Sequence, residues 1–122
     1  MKNTTNYEGI VSKDWRKFPS TEVSDGIFEY ILWRGEEGKQ TEIYKFEKNT
    51  KFNAIDFHSH GEEHVFVISG VFQDGKNSYK EGSYVTLPQG TAHIPQSEEG
   101  CVVLVTFPNG RKGLKYKIKG TG

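Results

Sequence analysis

This chain has one cysteine, one methionine and four prolines in 122 residues. The lone Cys101 excludes an internal disulfide and suits a reducing compartment. No apolar run is long enough to span a bilayer, and the opening MKNTTNYEGIVSKDW lacks the apolar stretch of a signal peptide. An excess of one charge sign is missing as well. Lysine plus arginine number 16, aspartate plus glutamate also 16, and no long single-sign block occurs. That balance favours neither nucleic acid nor an anionic membrane as a partner, so a soluble cytoplasmic protein is the expectation. Alanine and leucine are scarce while glycine numbers 14, which argues against a helical bundle. Aromatic and β-branched residues dominate the apolar set, as strands prefer.

The length fits one domain and can bury a core without disulfide or metal staples. A bound metal would therefore be functional rather than a folding crutch. Residues 1–25 are polar and read as an irregular extension, with Trp15 and Phe18 anchoring it against a body formed by residues 26–122. Within that body, short apolar runs alternate with turn signals every eight to twelve residues. Strands are expected over 26–34 (GIFEYILWR), 40–48, 52–60, 64–72 (HVFVISGVF), 77–79, 83–87, 91–96 and 101–107 (CVVLVTF), with a last edge strand over 114–118. Asp74-Gly75 and Asn109-Gly110 mark turns, and no stretch of twelve residues has helical periodicity. Eight or nine short strands in one small domain imply an all-β architecture, a sandwich or small antiparallel barrel. Tyr44, Phe46, Phe57, Phe66, Phe72 and Phe107 are the expected barrel filling, and Cys101 reads as a small buried hydrophobe. Trp33 is expected as a structural or interface anchor.

All four histidines lie in two short segments. His58-Ser-His60 is followed by Glu63 and His64, with Gly70 closing the run. His93 ends the pattern Gly82-x5-Pro88-x-Gly90-x2-His93. In a strand, His58 and His60 share a face, about 7 Å apart along it. Glu63 follows after a short bend, and the Pro88–Gly90 loop returns His93 on a neighbouring strand. Nitrogen ligands with one carboxylate suit a divalent zinc, iron, nickel or manganese ion, and they leave positions open for water or substrate. An isolated H-x-H often decorates a surface. The glycine and proline punctuation around both segments is what carries the metal reading. Gln89, Thr91 and Gln96 stand near the expected mouth.

These segments resemble the two motifs of the cupin superfamily, G-x5-H-x-H-x3,4-E-x6-G and G-x5-P-x-G-x2-H-x3-N. The second matches apart from Ser97, where asparagine is usual. The first has Phe52 in place of its leading glycine and a gap from His60 to Glu63 that is one residue short. Across residues 14–107 the chain is similar to the cupin domain of ChrR-type proteins, which carry H-x-H-x-G-G-E-E, a P-x-G-x-x-H-x-P segment and a late G-C. The resemblance implies a small antiparallel β-barrel of the jelly-roll kind. It also implies a metal held by His58, His60, Glu63 and His93, with His64 as the alternative to Glu63. Strand alternation does not decide between those two, because both faces of the strand are apolar.

Two functions follow from the resemblance. One is a mononuclear metalloenzyme, dioxygenase-like, acting on a small diketone-like or flavonol-like molecule. The other is a non-enzymatic metal-dependent sensor or metabolite-binding module. ChrR-type proteins are anti-sigma factors with an additional N-terminal zinc-binding domain. The first two dozen residues here lack a Cys/His cluster, which argues against inhibition of a sigma factor by that route. No residue has an evident catalytic role, since no second carboxylate or spare histidine stands as a general base beyond whichever of Glu63 and His64 does not ligate. A homodimer is expected by analogy.

Overall fold

A computed structural model describes residues 4–58 and 61–110, together with the backbone of 116–118. The strands are β1 (Ser20–Ser24), β2 (Ile27–Arg34), β3 (Gln40–Phe46), β4 (Thr50–Lys51), β5 (Ala54–Phe57), β6 (Glu63–Gln73), β7 (Ser78–Lys80), β8 (Tyr84–Leu87), β9 (Ala92–His93), β10 (Gln96–Ser97), β11 (Cys101–Thr106) and β12 (Tyr116–Ile118). Among the described residues the helical elements are two single 3-10 turns, Trp15–Lys17 and Glu36–Gly38. No helix there is long and apolar enough to cross a membrane.

One sheet runs β1-β2-β3-β11-β6-β10-β4, with β7 and β8 also pairing with β6, and the other runs β12-β5-β9. Every pairing between these strands is antiparallel. Together the sheets form a small, nearly closed antiparallel β-barrel. Alternation along β11 shows the reason: Cys101, Val103 and Val105 point inward while Val102, Leu104 and Thr106 are half-exposed. The inward residues meet Ile27, Phe46, Phe52, Val65, Val67, Phe72 and Phe107 in one core. β6 keeps Glu63, Val65 and Val67 inside. Its register against β11 then shifts between Val102 and Val103, so that Phe72 rather than Val71 returns to the core.

Three expectations need correction. Residues 20–24 are not irregular: Asp25 and Gly26 form a turn that folds this polar segment back along β2 as an edge strand, where side chains need not be apolar. Phe57 and Phe66 do not fill the barrel. Both alternate with inward residues and are 44 % and 41 % exposed, while Phe52 takes an interior place instead. The run 91–96 is two strands rather than one. Ile94-Pro95 separates them, and the Pro95 carbonyl accepts a hydrogen bond from the Phe52 amide at 2.9 Å. Trp15 does anchor the N-terminal segment, meeting the Tyr30 ring edge-on at 5.0 Å.

Candidate metal centre

Three strand ends converge on one point. β5 and β9 pair antiparallel with Asp56 directly opposite His93. His58 lies two residues beyond Asp56, so the alternation that ends β5 keeps the two on one side of the chain. Glu63 opens β6 on its inward face. Asp56, His58, Glu63 and His93 each offer one carboxylate oxygen or imidazole nitrogen, and these four atoms all lie within 4.8 Å of one another. His58 Nε2 stands 3.1 Å from Glu63 Oε1 and 3.4 Å from Asp56 Oδ2. His93 Nε2 is 3.3 Å from the same Asp56 oxygen. His58, Glu63 and His93 are buried, and Asp56 is half-buried.

The loop before β9 fixes His58 as firmly as its own strand does. The His58 amide donates to the Thr91 carbonyl at 2.9 Å, and the Gly90 amide donates back to the His58 carbonyl at 2.7 Å. On the side chain, Nδ1 faces the Thr91 hydroxyl at 2.9 Å and the Thr91 carbonyl at 3.1 Å. That hydroxyl donates its own proton to the Pro88 carbonyl at 2.6 Å, and a carbonyl can only accept. The partners therefore assign the hydrogen to Nδ1. In the neutral ring, Nε2 is then a bare lone pair aimed at two carboxylates. Such an arrangement is repulsive unless a cation stands between the donors.

A proton is one such cation. Burial pushes the His58 imidazole down, but hydrogen bonds to Asp56 and Glu63 outweigh it and raise the group to about 10. Burial would raise Asp56, yet His58 and His93 together hold its carboxyl well below the usual carboxylate range. For Glu63 burial wins, and its carboxyl is raised despite the bond to His58. A divalent ion is the other candidate, and the donors suit it. Two nitrogens and two oxygens are a ligand set for a first-row divalent metal, and the cluster could hold one. His93 Nδ1 is buried and has no hydrogen-bond partner among the described residues.

Of the residues singled out from sequence, the structure brings His58, Glu63 and His93 together. His60 lies outside the described residues. His64 is on the opposite face of β6, with Nε2 2.9 Å from Glu62 Oε2 and Nδ1 receiving the Tyr84 hydroxyl at 2.6 Å. Asp56 supplies the second carboxylate that the sequence reading did not find. The period-two rule linking His58 to His60 runs equally well backward to Asp56, and this was the available signal. Thr91 grips His58, whereas the Gln96 amide turns to the Ile94 carbonyl at 2.9 Å. Behind Asp56 and Glu63 lies an interior cavity of about 30 Å³, walled by Tyr44, Phe46, Phe52 and Phe72 among others. Cys101 is buried in the core, and its burial pushes the thiol up to about 11.

A family model described as ChrR Cupin-like domain matches residues 9–109. No curated protein matches the sequence. Among solved structures, the chain is similar to the anti-sigma ChrR of Rhodobacter sphaeroides in its complex with SigE. The identity is 18 % and the TM-score 0.66, over 78 % of this chain and 52 % of that one, so it spans about half the length of ChrR. It is also similar to the polyketide cyclase RemF of Streptomyces resistomycificus, at 12 % identity and TM-score 0.73 over 93 % of this chain and 87 % of that one. An acetylacetone dioxygenase of Acinetobacter johnsonii matches at 17 % identity and TM-score 0.68, over 88 % and 78 %.

Proposed function

The chain belongs to the ChrR cupin-like family, and on that premise we propose that it is a mononuclear metalloenzyme acting on a small oxygen-bearing organic molecule. One observation carries the reading: Nε2 of His58, whose Nδ1 is taken by Thr91, faces Asp56 and Glu63 at 3.4 and 3.1 Å. His58, Glu63 and His93 would hold the ion, with His60 joining them by its position in the motif. A bound divalent ion supplies Lewis-acid polarisation, and iron adds the redox capacity for dioxygenase chemistry.

The chain's own residues set the remaining conditions. Phe46, Phe52 and Phe72 offer an apolar wall on the inner side. Thr91 and the loop from Pro88 keep His58 in one orientation. Small diketones are the first substrates to try, since an acetylacetone dioxygenase shares the fold. The proposal includes a homodimer, carried by analogy, and a cytoplasmic setting, supported by the lone Cys101 and the balanced charge.

A second reading is a metal-dependent sensor without turnover, supported by the match to the ChrR Cupin-like model and the likeness to the anti-sigma ChrR. Elemental analysis of protein purified without added ions, followed by oxygen uptake with a diketone panel, separates the two. Iron with substrate-dependent oxygen consumption supports the enzyme. Tightly held zinc without turnover supports the sensor, and a protein that retains and takes up no metal sinks both.

A further inference from the structure

We propose that Asp56 is itself a ligand of the ion, giving a site with two carboxylates whose Mn²⁺ binding depends on Asp56 more steeply than its Zn²⁺ binding. This rests on the metal reading above and deepens it. Asp56 is not among the residues that the family motif marks as ligands.

The direction in which Asp56 points separates a ligand from a supporting residue. A carboxylate that merely orients a metal-bound histidine bonds the ring nitrogen facing away from the metal. On His58 that nitrogen is Nδ1, and Thr91 already takes it with both oxygens. Asp56 Oδ2 instead lies 3.4 Å from Nε2 of His58 and 3.3 Å from Nε2 of His93. Nδ1 of His93, the atom an orienting carboxylate would seek, has no partner among the described residues. Asp56 thus stands on the same side of the imidazoles as Glu63.

The spacing agrees. Two donors about 2.1 Å from one ion lie about 3.0 Å apart at a right angle and about 3.4 Å apart at the tetrahedral angle. Three of the six donor pairs here are separated by 3.1, 3.3 and 3.4 Å, and all four donors lie within 4.8 Å of one another. Asp56 is also held in place, because the β5–β9 ladder sets its backbone opposite His93 and its side chain is only 14 % exposed. The charges balance as well. With Glu63, Asp56 brings two negative charges to a divalent cation. Carboxylate oxygen suits manganese, whereas imidazole nitrogen suits zinc at least as well. Losing the carboxylate therefore weakens Mn²⁺ more than Zn²⁺.

The test is a pair of competition titrations of the full chain with Mn²⁺ and Zn²⁺ against a chromogenic chelator, for the wild type and Asp56→Asn. The ligand role predicts a loss of Mn²⁺ affinity of at least about 100-fold, the upper end of what losing a supporting partner costs. The Zn²⁺ loss should be about tenfold smaller. Equal losses for both ions would show a supporting role and overturn the proposal, as would binding within about threefold of wild type. A wild type that binds neither ion sinks the metal reading along with it. A second measurement needs no variant. In Mn²⁺-loaded wild type carrying ¹³C-labelled aspartate, electron–nuclear double resonance should show one strongly coupled carboxyl carbon. Of the chain's aspartates only Asp56 belongs to the cluster, so absence of that coupling rejects the assignment.

Discussion

Thr91 holds the Nδ1 side of His58 with two oxygens, its hydroxyl at 2.9 Å and its carbonyl at 3.1 Å. The hydroxyl matters beyond its one bond, because donating to the Pro88 carbonyl turns it into an obligatory acceptor for the imidazole. Thr91→Val keeps the shape and the carbonyl but removes that acceptor. Metal affinity should fall about 10-fold, the lower end of the range for such a supporting partner. Chelator competition with unchanged circular dichroism is the check. An affinity equal to wild type would mean that the carbonyl alone sets the ring.

His60→Ala and His93→Ala address the motif residues directly. Each should abolish metal retention through purification while the β-rich circular dichroism stays largely intact. Loss of fold in both would point to a structural ion.

Gly70 closes the first motif, and its reason is steric. Its φ is +76°, and a Cβ there would meet the Gly100 carbonyl oxygen at 2.1 Å and the Cys101 Cα at 2.8 Å. The obstacles are backbone atoms that cannot turn aside. Gly70→Ala should cost at least about 2 kcal/mol, from backbone strain together with overpacking. Urea denaturation measures it, and a change under about 0.5 kcal/mol would show that β6 and β11 separate easily.

Burial penalises the Cys101 thiolate, which raises the group to about 11. An unfolded thiol ionises near pH 8.5. Between those values the unfolded chain gives up its proton while the folded one keeps it. Stability from this group is therefore complete below about pH 8.5 and lost as pH rises toward 11. Relative to Cys101→Ala, the wild type should lose stability progressively over that window, and native Cys101 should resist disulfide reagents at neutral pH. Rapid labelling at pH 7 contradicts this.

The histidine spacings made much of the site legible before any coordinates. They single out His58 and His93, and the turn signals bound nearly every strand. The choice between Glu63 and His64 was not legible, because Val65 and Val67 on one face of β6 look no different from Phe66 and Ile68 on the other. Only packing against β11 turns the first set inward. β1 escaped detection because an edge strand such as STEVS needs no apolar alternation. No motif names Asp56, although its spacing from His58 equals that from His58 to His60. Ser97 stands where the motif usually has asparagine. Its buried hydroxyl donates to the Val71 carbonyl at 2.5 Å, tying β10 to β6, a link invisible in the one-dimensional pattern.

The paired backbone bonds between His58 and the Gly90–Thr91 turn have an evolutionary corollary. They clamp His58 to the loop that leads to His93 without using β3 or β11, which build much of the cavity wall. Substitutions at Tyr44, Phe46 or Val103 can therefore reshape the chamber while that clamp stays as it is. A barrel divided in this way can take a new lining without loosening the turn that fixes His58.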